Sequence, residues 1–248
     1  MILSKEETWP TEIIDFLKND GQPLLDYELN FNSNNYHFIG FEYDKAHRHL
    51  WQMMSKFTFE GVYHCTRLTA EEMFLIRAHG MQLPNQAVLN DRIDRVKESG
   101  LVSLELAESM KAKNEADDKY RKDMLHFVFQ APYFEGEHGI GRFFRSWGGE
   151  ALYNCHEEDL QTGLALRKIG IPAIIEVRLK IGTIGGAYLI NKISRIYLIN
   201  RGHDIQEPIR HEDHTRSAIP KQDMIDIYCH PDQAFLTFSG CKSWVLPL

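Results

Sequence analysis

The sequence predicts an α+β fold rather than a regular doubly wound sheet. Helical patterns dominate the first half of the chain and strand patterns the second half. Hydrophobic residues make up 43% of the 248 residues and aromatic residues 11%, enough for a sizeable core. The connections vary too much in length for a repeat protein. Because helices come early and strands late, a mixed α+β domain is the expected class.

The first part of the chain is predicted to be helical. Residues 10–21 place apolar side chains in helical register between a proline and a glycine. A second helix is predicted in 44–57, after a polar, turn-rich stretch at 30–36. No low-complexity linker follows. We therefore interpret residues 1–56 as an N-terminal helical extension that packs on a core domain formed by residues 57–248.

The core domain is predicted to begin with a strand that leads into a capped helix. Residues 57–64 alternate and are rich in aromatic and β-branched side chains, which is typical of a strand. Thr69 and Glu72 then fit a capping box, in which each side chain bonds the backbone amide of the other. Gly80 is expected to end this helix in a left-handed conformation.

The remaining elements follow from periodicity and from Gly and Pro punctuation. A stretch rich in glycine and aromatic residues, 131–154, follows the strand predicted at 124–130 and is given no element. Further helices are predicted in 86–99, 102–122 and 157–170, and further strands in 124–130, 173–181, 194–200, 223–230 and 234–239.

Charge and composition exclude several classes of protein. The formal net charge of -7 argues against a broad surface for nucleic-acid phosphates, which is built from clustered Lys and Arg. No apolar run approaches the roughly 18 to 20 residues that span a bilayer, and the N-terminus is too acidic for a signal peptide. A cytoplasmic protein without a membrane partner is expected. The four cysteines form no CxxC pair, so they are predicted to be reduced, buried thiols.

Common cofactor and metal motifs are missing from the sequence. There is no GxGxxG after a strand, no GxxxxGK[ST], no GxSxG and no HExxH. "GTIGGA" at 182–187 has the wrong spacing and is predicted to be a turn. "HEDHTR" at 211–216 and "NCHEED" at 154–159 collect possible metal ligands, but neither has the spacing of a known zinc site. Hydrated loops are the favoured reading of both, and no metal is assigned.

Two stretches carry the candidate site residues. The predicted strand ends in "YHCTR", which delivers an imidazole at His64, a hydroxyl at Thr66 and a guanidinium at Arg67. The second stretch, "GIGRFFRSWGGEALYN", combines glycines and aromatic side chains with one carboxylate, Glu150. An aromatic wall with a carboxylate suits a flat, cationic heteroaromatic ligand that carries a ribose. The alternatives are a well-hydrated strand end and a buried aromatic turn, with Glu150 as a helix N-terminal charge.

Residues 57–230 resemble ADP-ribosyltransferase-like domains of the bacterial toxin or defence type. The resemblance is carried by "YHCTRLTAEEMFLIRAHGM", by "RFFRSWGGEALY" and by "IPKQDMIDIY". It implies split antiparallel sheets with helices and an NAD-binding cleft between the sheets. NAD would be the substrate, held through its ribose or pyrophosphate by a first-strand residue and through its nicotinamide by an aromatic ring.

The resemblance also implies roles for individual residues. It makes His64 and Glu150 the catalytic pair, with Arg67 as a phosphate contact and Trp147 and Tyr153 as stacking residues. The cofactor-binding residues implied are Tyr63, His64, Thr66, Arg67, Trp147, Gly149 and Tyr153. No clear Ser-Thr-Ser or Glu-x-Glu triplet appears on a predicted late strand of this sequence, which is where the family's glutamate usually lies. Three further acids therefore stay open for the catalytic role: Glu207, Glu212 and Asp223.

The expected function is transfer of ADP-ribose from NAD to a cytosolic acceptor, or plain NAD hydrolysis. Such a protein could be a toxin or a phage-defence effector with an antitoxin or regulatory partner. Two alternatives remain from the sequence. One is a noncatalytic nucleotide-binding module, and the other is a metal-dependent hydrolase that uses the His-rich segments.

Overall fold

The computed structural model of the chain describes residues 1–30, 40–186 and 188–248. Its helices are α1 (Thr11–Asn19), α2 (Gln22–Leu29), α3 (Phe41–Met54), α4 (Ala70–His79), α5 (Gln86–Glu98), α6 (Leu104–Ala112), α7 (Gly136–Arg145), α8 (Glu150–His156), α9 (Thr162–Lys168), α10 (Leu189–Ile199) and α11 (Gln233–Ser239). Its strands are β1 (Thr58–Leu68), β2 (Gly80–Met81), β3 (Leu125–Val128), β4 (Ile171–Lys180), β5 (Glu212–Thr215), β6 (Ile219–Pro220) and β7 (Met224–Cys229).

The strands form one larger and one smaller sheet. The larger has the order β5-β3-β1-β4-β7, and the smaller pairs β2 with β6. β4 and β7 are antiparallel, with Glu176 opposite Asp226 and a register irregularity immediately after Glu176. Helices with an antiparallel sheet confirm the α+β class. The finer architecture implied by the resemblance stays a prediction.

The chain divides into two compact units. The first comprises Met1–Val62, Val128–Gln130 and Arg178–Asp213, and it contains α1, α2, α3 and α10. The second comprises Tyr63–Phe127, Ala131–Val177 and His214–Leu248. The division into residues 1–56 and 57–248 stays a prediction, and the polar stretch predicted at 30–36 lies outside the described residues apart from Asn30.

The junction between β1 and α4 confirms the local reading of the sequence. Thr69 Oγ1 accepts a hydrogen bond from the Glu72 amide at 3.2 Å, and a Glu72 carboxylate oxygen accepts one from the Thr69 amide at 2.7 Å. Gly80 follows the helix with a φ of 86°. A Cβ there would lie 2.0 Å from the Ile219 carbonyl oxygen, so the strand pairing of β2 with β6 also requires glycine.

The strand predicted at 194–200 is wrong, because these residues lie in α10 or directly after it. The β-branched isoleucines suggested a strand, but propensity is a weak prior that tertiary packing overrides. α10 is buried on several sides, and its buried Arg195 donates to Glu28 of α2 through Nε at 2.5 Å. Both residues lie in the first unit. No pattern in the sequence around either residue indicated this long-range ion pair.

The strand predicted at 234–239 is also wrong, because the segment forms α11. A short apolar run does not distinguish a strand from a buried helix. The stop signal was present: Gly240 adopts the left-handed conformation, with φ 65° and ψ 12°, that commonly ends a helix.

Two predicted boundaries were wrong in the middle of the chain. The helix predicted over 102–122 ends with α6 at Ala112, because Asn114 and Asp118 then bond nearby backbone amides in turns. The glycine- and aromatic-rich stretch at 131–154, for which no element was predicted, contains α7 and most of α8. The helix predicted from 157 begins only at Thr162, after a turn in which Asp159 accepts the Thr162 amide.

The four cysteines are free thiols as predicted, but most of them are not buried. All four lie within the described residues as thiols, and no disulfide joins them. Only Cys65 is buried, while Cys155, Cys229 and Cys241 are half-buried.

Candidate functional site

His64 lies on β1, next to β3. Its imidazole is half-buried, and Nδ1 lies 2.8 Å from the carbonyl oxygen of His126 on β3. The ring meets Phe127 edge-on, with centroids 5.8 Å apart. The imidazole therefore keeps some solvent-accessible surface while it packs against β3.

The protonation state of His64 follows from this environment. Burial lowers the pKa of His64 to about 4, assisted by the nearby positive charge of Arg92 and opposed by the His126 carbonyl. The ring is therefore neutral at pH 7. Because a carbonyl oxygen only accepts, the proton sits on Nδ1 and leaves Nε2 as an acceptor. Nε2 has no hydrogen-bond partner within residues 1–30, 40–186 and 188–248. A ligand hydroxyl would fit it.

Strand geometry divides the predicted "YHCTR" site between two faces. Successive side chains of a strand point to opposite sides, so His64 and Thr66 share one face while Tyr63 and Arg67 lie on the other. Thr66 is half-buried beside the His64 position. The structure therefore keeps His64 and Thr66 together and separates them from Tyr63 and Arg67.

Arg67 is bound to the protein itself. Its Nε, Nη1 and Nη2 donate to the carbonyl oxygens of Ile169, Phe144 and Gly170 at 2.8 to 2.9 Å. The side chain is buried, and burial lowers the pKa of Arg67. Every nitrogen of the guanidinium is used, so in this structure Arg67 ties β1 to the segment before β4 and offers no nitrogen without a partner to a phosphate.

A network missed by the sequence reasoning surrounds Glu72. Its buried carboxylate accepts hydrogen bonds from Arg92 Nε at 2.6 Å, from Trp147 Nε1 at 3.0 Å and from the Thr69 amide at 2.7 Å. Arg92 also lies over the Trp147 ring, 4.8 Å from its centroid. The capping box revealed Glu72, but no spacing in the sequence indicated its partners on α5 and before α8.

The same network sets the charge of Glu72 and borders a cleft. Burial alone would raise the pKa of Glu72, but the Arg92 charge and the hydrogen bonds to the carboxylate outweigh it and hold the pKa below its usual value. The cleft has a volume of about 190 Å³. It is lined by Thr69, Ala70, Glu71, Glu72, Arg92, Arg95, Val96, Ser99 and Leu101.

Trp147 belongs to a hydrophobic core. Its side chain has 0% exposure and packs with residues of α5, α6, α8 and α9. The face of the ring has no accessible surface for a nicotinamide in this structure. Gly148 before α8 fits this packing: its φ is 86°, and a Cβ would lie 2.3 Å from Leu152. The close backbone approach that glycine allows at Gly148 is therefore made to Leu152 of the protein itself.

Glu150 lies at the N-terminus of α8 in a cluster of charges. Gly149 precedes it with a φ of 64°, and Arg121 Nε lies 3.4 Å from its carboxylate. The Glu150 side chain is 45% exposed. Tyr153 is buried under the guanidinium of Arg142, whose Cζ lies 4.2 Å from the ring centroid. Burial, followed by the Glu150 charge, raises the pKa of Tyr153. The structure thus brings Gly149, Glu150 and Tyr153 together at the start of α8.

The other acids occupy different elements. Glu207 lies in the segment between α10 and β5, Glu212 begins β5, and Asp223 ends a short turn before β7. Glu212 is exposed, while Glu207 and Asp223 are half-buried. The choice among these acids and Glu150 stays open.

The histidine-rich segment is partly structural. In the first unit, His211 is buried, with Nε2 3.4 Å from Asp213, and its amide donates to Gln130. Asp213 accepts a hydrogen bond from the Gly186 amide at 2.6 Å. This bond holds Gly186, the last described residue of the "GTIGGA" segment, in place. Across the described ranges, no three His, Cys, Asp or Glu side chains gather to hold a metal ion. The metal-dependent hydrolase therefore has no ligand set there.

Comparison of the chain with protein-family models, with curated proteins and with solved structures gives no match. In the part of the chain that the structure describes, no helix combines the length and apolar character that crossing a bilayer requires.

Proposed function

We propose that this chain cleaves the glycosidic bond between nicotinamide and ribose in NAD and transfers the ADP-ribose to an acceptor or to water. The observation that carries the proposal is the state of His64. A neutral imidazole with its proton held on Nδ1 offers Nε2 to a hydroxyl donor. The resemblance assigns a ribose hydroxyl to this strand position.

Cleavage of the glycosidic bond requires one further group, a carboxylate. As nicotinamide leaves with the bonding electron pair, positive charge builds on the ribose, and a carboxylate stabilises it. An acceptor hydroxyl or water then bonds to the same carbon and loses its proton. Glu150 is the carboxylate implied by the resemblance, with Glu207, Glu212 and Asp223 as the alternatives. A toxin or defence effector acting in the cytoplasm, with an antitoxin or other regulatory partner, is the biological setting that the resemblance implies.

The test is release of nicotinamide from NAD by the purified chain, measured with His64→Ala and a matched control. Loss of one hydrogen bond to the substrate should weaken NAD binding about tenfold, since such a bond contributes roughly 1.5 kcal/mol. His203 is exposed beyond α10, so His203→Ala should bind NAD as the parent protein does. Equal NAD binding by both variants would remove His64 from the site.

The carboxylate is identified by its own series. Glu150→Gln should leave NAD binding intact and slow nicotinamide release about a hundredfold, because a lost transition-state contact is worth roughly 3 kcal/mol. If its turnover is unchanged, the same assay on Glu207→Gln, Glu212→Gln and Asp223→Asn decides among the alternatives. NAD binding without any release would favour the noncatalytic module, and no binding at millimolar NAD would refute the proposal.

A further inference from the structure

The carboxylate of Glu176 lies beside two tyrosine side chains on the β1 face opposite His64. The Tyr228 hydroxyl donates to Glu176 Oε2 at 2.6 Å. Tyr63 lies near the same carboxylate: burial, followed by the charge of Glu176, raises the pKa of Tyr63. Burial likewise raises the pKa of Tyr228, so both phenols are protonated at neutral pH and both lie against the Glu176 side chain.

Three rings form a continuous wall beside this carboxylate. Phe238 of α11 contacts Tyr63 with centroids 5.2 Å apart and Tyr228 with centroids 4.8 Å apart. Tyr63 is 8% exposed, whereas Phe238, Tyr228 and Glu176 are half-buried and accessible from solvent. Ring faces attract cations, and a cage of several aromatic rings is a common way to bind an organic cation.

A second negative charge stands at the same place. Asp226 is the Cα partner of Glu176 across the antiparallel β4–β7 pair, so the two side chains lie on the same face. Like charges directly opposite destabilise a strand pair. Within the described part of the chain, no ion pair neutralises either carboxylate. Arg77 also contacts β7, but it donates to the Ile227 carbonyl oxygen at 3.5 Å.

We propose that Glu176, Asp226 and the rings of Tyr63, Tyr228 and Phe238 form a binding site for a guanidinium group. A guanidinium is planar, so it can stack on a ring face, and its fork of donors can bond carboxylates on two neighbouring strands. It would also cancel the repulsion between Glu176 and Asp226. The site is independent of NAD cleavage, because all five residues act through the face opposite His64.

The test is a titration of the full chain, followed through the NMR signals of its aromatic rings. L-arginine amide should shift the Phe238, Tyr63 and Tyr228 signals and saturate them in the millimolar range. L-citrulline amide, which replaces the guanidinium by an uncharged urea, is the matched ligand control and should shift none of them. A Gly-Arg-Gly tripeptide distinguishes a peptide side chain from a small molecule as the source: tighter binding than the amide indicates a peptide.

Variants decide whether the observed binding occurs at these residues. Asp226→Asn should weaken arginine-amide binding about tenfold, because it removes one of the two carboxylates of the proposed site. Asp226 is exposed, so this variant should keep the fold. Asp232→Asn removes the same charge from an exposed position before α11 and should bind like the parent protein. Phe238→Leu should also weaken binding while keeping an apolar side chain there. Unmoved ring signals, equal binding of citrulline amide, or equal affinity in Asp226→Asn and the parent protein would overturn the proposal.

Discussion

Replacing Glu72 by Gln should destabilise the fold far more than its position in the first turn of a helix suggests. The carboxylate accepts hydrogen bonds from three donors on different segments: the Thr69 amide, Arg92 Nε and Trp147 Nε1. The amide of Gln has the same shape, but its nitrogen only donates. Wherever that nitrogen points, it faces a donor and leaves it without an acceptor.

The magnitude follows from the partners. A hydrogen bond between charged groups contributes roughly 1.5 to 3 kcal/mol, and a buried donor left unsatisfied costs roughly 1 to 3 kcal/mol more. The Arg92 side chain is 27% exposed, so water recovers part of its loss. We expect the free energy of unfolding to fall by about 3 kcal/mol, near the lower end for a broken buried ion pair.

The assay is urea unfolding of Glu72→Gln beside Glu71→Gln. Glu71 lies in the same helical turn, with a side chain 56% exposed and an ion pair to Arg95 at 3.7 Å. Such a surface pair contributes at most about 1 kcal/mol, so this control should change little. A loss below about 1 kcal/mol in Glu72→Gln, or equal losses in both variants, would refute the reasoning.

The pH dependence provides a second check on the same carboxylate. The pKa of Glu72 is lower in the folded chain than its usual value of 4.5, so the stabilisation is fully present above the unfolded pKa. It is lost as the pH falls through the folded value. Glu72→Gln has no such group and should lose less stability between pH 5 and pH 3 than the parent protein, by urea unfolding at each pH. An unchanged acid dependence would contradict the assignment.

Two further predictions concern β1. Arg67→Lys should lower the free energy of unfolding by about 2 kcal/mol, because one ammonium cannot replace three directed hydrogen bonds to the carbonyls of Ile169, Phe144 and Gly170. Thermal melting of this variant is compared with that of Arg77→Lys as a control. Equal shifts in melting temperature would contradict the role of Arg67 as an anchor. The pKa of His64 is lowered to about 4, so folding should weaken as the pH falls from the usual histidine value near 6.5 towards 4, while the unfolded chain takes up the proton more readily. His64→Ala should remove this component, and an unchanged slope of stability against pH in that window would show that His64 is not enclosed.

Tertiary structure changed the meaning of several residues that the sequence had singled out. Arg67 and Trp147 have the chemistry of ligand-binding side chains, but Arg67 donates to three carbonyls and Trp147 has 0% exposure in the core. Their residue types are equally suited to both uses. Partners that lie about 75 to 100 residues away along the chain decide which use is realised, and periodicity does not report them.

The sequence by itself determined the features that depend on neighbouring residues. The capping box of Thr69 and Glu72, the end of α4 at Gly80 and the strand character of β1 all follow from contacts within a few residues. Only the tertiary structure decided that the isoleucine-rich segment of α10 is a helix, because the buried pair of Arg195 with Glu28 is a contact with α2, far away in the chain. The same holds for Glu176, which gains its meaning from Tyr228 and Asp226 on another strand. Local patterns fix local geometry, whereas burial and charge pairing depend on which distant segments the fold brings together.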